Sequence, residues 1–97
     1  ACPRRQLPEV ELIDVRGRDE LPRGVIPGMV HIPMHRIPEL ADRLDPERPV
    51  VLYCAHGIRS AQVGDYLLQR GFPEVYHLAG GIEAWARRYP VAPPGDE

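Results

Sequence analysis

Residues 50–60 read VVLYCAHGIRS, from Val50 to Ser60. Four consecutive apolar or aromatic residues at 50–53 predict a strand buried on both faces, as strands of parallel sheets are. Cys54 follows directly, at the carboxyl end of this strand. Apolar residues then recur at helical spacing until Gly71, which predicts a helix over residues 60–70. The stretch therefore places a cysteine between a strand end and a helix N-terminus.

A loop at this position has the chemistry of an anion site. Its backbone N–H groups turn toward a common centre, and the helix dipole adds partial positive charge there. A thiol at that centre is expected to have a lowered pKa and to be a nucleophile. Arg59 adds a cation with a fork of donors, and Gly57 permits a positive φ. The candidate catalytic residue is Cys54, and the candidate substrate-binding residues are Ala55, His56, Gly57, Ile58, Arg59 and Ser60.

The alternative interpretation of this loop is structural. A free cysteine is often a small buried apolar residue, and Ser60 has the residue type of a helix N-cap. That interpretation leaves the spacing of Gly57 and Arg59 unexplained. Ser60 is also the only serine of the chain, and threonine is absent. We therefore favour the reactive cysteine.

The rest of the chain alternates between strand and helix patterns. Further strands are predicted at 10–15, 30–32 and 75–78, a helical turn at 18–21, and helices at 37–44 and 82–89. This alternation predicts an α/β fold with a mostly parallel central sheet flanked by helices on both faces. We expect one domain at 10–90, an irregular N-terminal arm at 1–9 and a flexible tail at 91–97.

Two glycines follow the predicted strand at 75–78. The carboxyl ends of parallel strands meet at one edge of a sheet, so Gly80 and Gly81 are expected at the edge that carries Cys54. Because glycine has no side chain, these two residues would allow the backbone to come close to the cysteine loop.

Four segments together resemble one known family. Residues 54–60 resemble the active-site loop of rhodanese-like (thiosulfate sulfurtransferase) domains, in which cysteine, glycine, arginine and serine recur at these spacings. Three more segments match in the same order, and the resemblance covers about residues 10–90. They are Leu12-Ile13-Asp14-Val15-Arg16, Gly24-Val25-Ile26-Pro27-Gly28 with Ile32-Pro33, and Leu78-Ala79-Gly80-Gly81-Ile82 with Trp85.

The resemblance implies a rhodanese-like fold and sulfane sulfur transfer. The Cys54 thiolate would take the outer sulfur of thiosulfate or a persulfide, hold it as a persulfide, and pass it to cyanide or a thiol. No metal or organic cofactor is implied. The implied partners are a small sulfur-containing anion as donor and a thiophilic acceptor, with a sulfur-carrier protein as a further candidate. The Asp14 and Arg16 pair is expected to be structural, and Trp85 a core anchor.

Two other functions fit parts of the pattern. A phosphatase or arsenate reductase also surrounds an anion with cysteine and arginine. Protein-tyrosine phosphatases place five residues between the two, whereas this chain has four, a loop expected to be too tight for a phosphoryl group. A non-catalytic binding or regulatory module is the other alternative, although rhodanese-like modules of that kind commonly lack the cysteine.

Composition excludes several classes of partner. The net charge is −2, without a long basic run, and no apolar stretch approaches a membrane span, so we expect neither nucleic acid nor membrane as a partner. Cys2 and Cys54 form no C-x-x-C pair and are interpreted as reduced thiols of a cytoplasmic protein. His31 and His35 lie close together in sequence, but they lack a third ligand, so no metal site is predicted. His56 is interpreted as a solvent-exposed loop residue.

Overall fold

A computed structural model describes residues 10–93 of the chain. The predicted N-terminal arm with Cys2, and residues 94–97 of the predicted tail, lie outside this range. The strands are β1 (Glu11–Asp14), β2 (Val30–His31), β3 (Val50–Tyr53) and β4 (Val75–His77). The α-helices are α1 (Ile37–Leu40), α2 (Ile58–Gln69) and α3 (Gly81–Ala86). Short 3-10 helices cover Arg18–Arg23, Met34–Arg36 and Ala41–Arg43.

The four strands form one sheet in the order β2-β1-β3-β4, and every neighbouring pair is parallel. The register sets Ile13 of β1 beside Leu52 of β3, and Leu52 beside His77 of β4. The carboxyl ends of these three strands therefore meet at one edge of the sheet. This edge receives the cysteine loop, and the predicted parallel sheet is confirmed.

Both faces of the sheet are covered, because successive side chains of a strand point to opposite sides. On one face, Leu52 and Cys54 pack in a core with residues of α1 and α2, among them Ile37 and Leu67. On the other face, Tyr53 packs with residues 25–29 and with α3. The predicted α/β layers with helices on both sides are therefore confirmed.

Helix boundaries differ from the sequence prediction at three places. The helix expected at 37–44 ends at Leu40 and continues as a tighter 3-10 turn to Arg43. The central helix begins at Ile58, two residues early, because Gly57 takes a φ of 105° and turns the chain into the helix. The last helix ends at Ala86, and the N–H of Arg88 bonds back only three residues, to the carbonyl of Trp85. Periodicity alone does not define such ends.

The start of the predicted tail is paired with the domain. Ala92 and Val25 form an antiparallel bridge in which each N–H donates to the other's carbonyl oxygen at 2.8 Å. Ala92, within the predicted tail, is therefore hydrogen-bonded to the domain. No helix in the described part of the chain has both the length and the apolar character that crossing a membrane requires.

Candidate active site

Cys54 directly follows β3 and begins a loop that the start of α3 holds in place. The carbonyl oxygen of Cys54 accepts the N–H of Ile82 at 2.8 Å, and that of Ala55 accepts the N–H of Glu83 at 3.2 Å. These two donors lie in the first turn of α3, whose N–H groups have no partner within the helix itself. The start of α3 therefore fixes the backbone of the cysteine loop.

Gly81 makes this contact possible. A Cβ at this residue would lie 2.4 Å from the carbonyl oxygen of Cys54 and 2.3 Å from that of Ala55. Its φ of 66° is also in the left-handed region that glycine adopts without strain. The close approach of this backbone to the loop, predicted from the sequence, is confirmed.

The thiol of Cys54 lies at the centre of converging donors. Its Sγ accepts the N–H of Gly57 at 3.1 Å and the N–H of Ser60 at 3.4 Å. The side chain is only 1% exposed. Gly57 is the N-cap of α2, so both donors belong to the unsatisfied N–H groups of a helix start. The expected turn of the loop amides toward one centre is confirmed.

These contacts lower the pKa of the Cys54 thiol below its ordinary value. Burial acts in the opposite direction and would raise the pKa. Hydrogen bonds from the backbone and hydroxyl of Ser60, and from the N–H groups of Gly57 and His56, outweigh it because they stabilise the thiolate. The predicted direction of the shift is confirmed, and it favours a nucleophile.

Ser60 lies inside the first turn of α2 and is wholly buried. Its Oγ is 3.6 Å from the Sγ of Cys54 and 3.3 Å from the carbonyl oxygen of Gly57. It is also 3.3 Å from Nδ1 of His77. Gly57, and not Ser60, is the N-cap, so the interpretation of Ser60 as a capping residue is wrong. Sequence analysis missed His77, although its place at the end of a strand parallel to β3 indicates the same edge of the sheet.

Arg59 is held by a carboxylate that the sequence analysis also missed. Its guanidinium donates to both oxygens of Glu20, at 2.6 and 2.9 Å. The hydrogen bond from Arg59 lowers the pKa of Glu20 to about 2, aided by the N–H of Gly17, although burial opposes the shift. Both side chains are therefore charged at neutral pH. Glu20 lies in the 3-10 helix that follows β1, which brings it to the same edge as the loop.

The remaining predicted residues of the loop, Ala55, His56 and Ile58, have side chains on the outer side of the loop. His56 is exposed and its Nε2 lies 3.1 Å from a carboxylate oxygen of Glu83. Ile58 is 71% exposed. Ala55 lines a cavity of about 220 Å³ together with Arg23, Glu83 and other residues. The loop therefore has a polar, buried interior around Cys54 and a surface that reaches solvent.

Asp14 and Arg16 form a buried pair beneath this edge. The Arg16 guanidinium donates to Asp14 at 2.8 Å and to the carbonyl oxygen of Gly24 at 2.8 Å. It also lies over the ring of Tyr53, 5.7 Å from the ring centroid. The expected pairing of these charges is confirmed, and it joins β1 to the segment that follows it.

The histidines of the second strand region have no metal-site geometry. The Nε2 of His31 lies 2.7 Å from the carbonyl oxygen of Arg16. Between residues 10 and 93, no three His, Cys, Asp or Glu side chains come together as a metal ion would require.

The match to a family model decides which family the chain is from. The model of the Rhodanese-like domain matches residues 4–88. The chain belongs to the rhodanese-like domain family. The match includes β1, the cysteine loop and α3, so the whole arrangement around Cys54 lies within the rhodanese-like domain.

Named relatives of this rhodanese-like domain agree. The thiosulfate sulfurtransferase GlpE of Coxiella burnetii is 37% identical over 84 residues, 87% of this chain and 78% of the relative. A sulfurtransferase of Allochromatium vinosum is 42% identical over 87 residues, 89% of this chain and 81% of the relative. A rhodanese-related protein of Thermoplasma volcanium superposes with a TM-score of 0.79 at 33% identity, covering 86% and 83% of the two chains. These relatives support sulfurtransferase activity at the level of the family.

Proposed function

We propose that this rhodanese-like domain transfers sulfane sulfur from thiosulfate or a persulfide donor to a thiophilic acceptor, through a persulfide on Cys54. The observation that carries the proposal is the buried Sγ of Cys54, which accepts the N–H groups of Gly57 and Ser60 and has a lowered pKa. A thiolate held in this way is a nucleophile, and the donors around it suit a second, negatively charged sulfur.

In the first half-reaction, the Cys54 thiolate attacks the outer sulfur of thiosulfate. A new sulfur–sulfur bond forms on Cys54, the sulfur–sulfur bond of thiosulfate breaks, and sulfite leaves with the bonding electron pair. Arg59 supplies positive charge near the thiolate and would attract the anionic donor. The N–H groups that face Sγ would stabilise the persulfide anion that remains.

In the second half-reaction, an acceptor nucleophile attacks the outer sulfur of the Cys54 persulfide. The acceptor gains that sulfur, and the Cys54 thiolate is regenerated as the leaving group. Cyanide and thiols are the acceptor chemistries that we propose, and a sulfur-carrier protein would present such a thiol. The reduced thiol that this cycle requires agrees with a cytoplasmic location, which we include in the proposal.

The test is mass spectrometry of the protein after incubation with thiosulfate and removal of excess reagent. We expect a gain of one sulfur atom on Cys54, lost again when cyanide is added. Cys54→Ser should abolish the gain, whereas the matched control Cys2→Ser should retain it. A wild-type thiol that stays unmodified with thiosulfate and with persulfide donors would contradict the proposal and favour a binding module. Turnover of p-nitrophenyl phosphate at a rate comparable to thiosulfate would favour a phosphatase.

A further inference from the structure

A chain of contacts leads from the buried thiol to the protein surface. The thiol of Cys54 donates to Ser60 Oγ at 3.6 Å, and this Oγ lies 3.3 Å from Nδ1 of His77. Cys54 and Ser60 are 1% and 0% exposed, whereas His77, the last residue of β4, is exposed. We propose that His77, acting through the hydroxyl of Ser60, accepts the proton of the Cys54 thiol and stabilises the thiolate. His77 is then a positioning residue of this site.

The other groups hydrogen-bonded to the thiol, and the charged pair beside it, do not take its proton. The N–H groups of Gly57 and Ser60 only donate. Arg59 remains protonated, because its hydrogen bond to Glu20 raises a pKa that is already high. Glu20 is a weak base, since its pKa is about 2. Within residues 10–93, the hydroxyl of Ser60 is the only side chain hydrogen-bonded to Sγ, so the proton leaves through it.

The proposed transfer moves two protons, one from Cys54 to Ser60 and one from Ser60 to His77. In the thiol form, Sγ–H donates to Ser60 Oγ. The hydroxyl hydrogen of Ser60 has two acceptors at 3.3 Å, the carbonyl oxygen of Gly57 and Nδ1 of His77, and the transfer uses the orientation toward an unprotonated Nδ1. In the ionised form, the hydroxyl has received the thiol proton and has passed its own to Nδ1. The hydroxyl then donates to the thiolate, and the imidazolium N–H donates to Oγ. No bond between heavy atoms forms or breaks, and His77 can release the proton to solvent from its exposed side.

The charges around the contacts of Cys54, Ser60 and His77 favour the thiolate form of Cys54. Arg59 of α2 attracts the Cys54 thiolate, and Glu20, from the turn after β1, balances the charge of Arg59. Asp14, at the end of β1, also acts on Arg59. His77 forms no ion pair with any residue of the described range 10–93. An imidazolium there would add a second positive charge close to the thiolate, beyond the hydrogen bonds already present.

The inference rests on the proposed role of Cys54 as nucleophile, and its test does not require sulfur transfer. The measurement is the rate of alkylation of Cys54 by iodoacetamide between about pH 5 and pH 10, since only the thiolate reacts appreciably. Mass spectrometry of the peptide that contains Cys54 measures its alkylation separately from that of Cys2. For His77→Asn we expect the midpoint of the pH profile to rise by about one unit, and the rate near neutral pH to fall about tenfold.

Two further variants test the route of the proton. Ser60→Ala should shift the midpoint in the same direction as His77→Asn. The double variant should shift it no further than the larger single effect, because the two residues act in series. Asparagine at position 77 retains hydrogen-bonding atoms but cannot titrate, so a purely structural role would leave the profile in place. His77→Ala supplies a second comparison, at an exposed position, if Ser60→Ala fails to fold.

The matched control is His35→Asn, which removes an exposed imidazole on the 3-10 helix Met34–Arg36. Its pH profile should match the wild type. A His77→Asn profile that superimposes on the wild type would overturn the inference, as would an additive shift in the double variant. Failure of the proposed function looks different: Cys54 would gain no sulfur from thiosulfate or persulfides, while the alkylation profile would still respond to His77.

Discussion

Arg59 shows how a residue's contacts determine what its charge can do. Residue type alone marks it as a free cation for an anionic donor. In the structure both of its outer nitrogens donate to Glu20, at 2.6 and 2.9 Å. An anionic donor that approaches the loop therefore meets a carboxylate as well as a guanidinium. The net attraction depends on the pair and not on Arg59 alone.

Substitutions of Arg59 and of Glu20 should change the KM for thiosulfate in opposite directions. Arg59→Ala should raise the KM for thiosulfate by about tenfold to a hundredfold with a small change in kcat, because a charge-assisted contact to an anion contributes about 1.5–3 kcal/mol. Glu20→Gln should lower the KM, because it removes the competing negative charge. Steady-state kinetics with thiosulfate measure both changes in KM. With an uncharged organic polysulfide as donor, the same substitutions should change the KM less.

The matched control for Arg59 is Arg48→Ala. Arg48 forms a comparable pair with Glu11, at 2.7 Å and with exposures of 37% and 20%, against 36% and 22% for Arg59 and Glu20. It lies at the opposite edge of the sheet, where β1 and β3 begin. Loss of the same charge there should leave the KM unchanged. An equal effect of Arg48→Ala and Arg59→Ala would mean that only the net charge matters.

At the scale of elements, the site depends on the junction between the cysteine loop and α3. The first N–H groups of α3 bind the carbonyl oxygens of Cys54 and Ala55. The chain of Gly80 and Gly81 passes so close that a side chain on Gly81 would overlap the loop. A sequence pattern indicates that two glycines follow a strand, but only the packed elements show which backbone atoms they approach.

Gly81→Ala should therefore disturb the active-site loop as well as stability. We expect a loss of about 3 kcal/mol in the free energy of unfolding, from left-handed strain together with overlap against a rigid backbone. The folded fraction should also lose much of its Cys54 reactivity, because the loop must move. Chemical denaturation and iodoacetamide alkylation measure the two effects.

Gly71→Ala is the control for this variant. Gly71 also has a positive φ, 100°, but a Cβ there would meet no atom within 4 Å. Gly71→Ala should lower the free energy of unfolding by about 1–2 kcal/mol, from backbone strain alone, and should leave the reactivity of Cys54 normal. Equal losses of stability and reactivity in the two variants would contradict the role of the close approach.

At the scale of the whole molecule, the sheet has a hydrophobic core on each face, and the ion pair of Asp14 and Arg16 is buried with it. The Asp14 and Arg16 pair lies beside Tyr53, with the Arg16 guanidinium over the Tyr53 ring. The side chains of Asp14 and Arg16 are 0% and 2% exposed. Through Arg16 the pair reaches Gly24, and the next residue, Val25, pairs with Ala92. Hydrogen bonds thus join the end of β1 to Gly24, and join the neighbouring Val25 to Ala92 near the C-terminal end of the described range.

Asp14→Asn should destabilise the whole domain. It leaves the charge of Arg16 buried without its counter-charge, which costs about 3–5 kcal/mol. The matched control is Glu39→Gln, which breaks the exposed pair of Arg36 and Glu39, at 3.4 Å, and should cost well under about 1 kcal/mol. Urea denaturation followed by circular dichroism measures both. Equal midpoints for the two variants would show that burial of the pair does not matter to stability.

The sequence by itself determined the fold class, the order of strands and helices along the chain, and the position of Cys54 after the central strand. These follow from local patterns, because alternation of strand and helix and the spacing of apolar residues depend on neighbours in the chain. The low pKa of the thiol was also predictable, since a strand–loop–helix unit already contains the donors of Gly57 and Ser60.

Only the tertiary structure decided what surrounds the loop. Glu20 and His77 lie 39 and 17 residues from their partners in the loop, Arg59 and Ser60, so no local pattern relates them. The parallel register brings the end of β4 beside β3, and the turn after β1 to the same edge. Ser60, a substrate-binding candidate in the sequence, is a buried neighbour of the thiol, and the alternative of a helix cap fails because the helix begins at Ile58. The side chains that meet at this edge set the charge of the site and its proposed proton route, and they depend on which strands lie side by side.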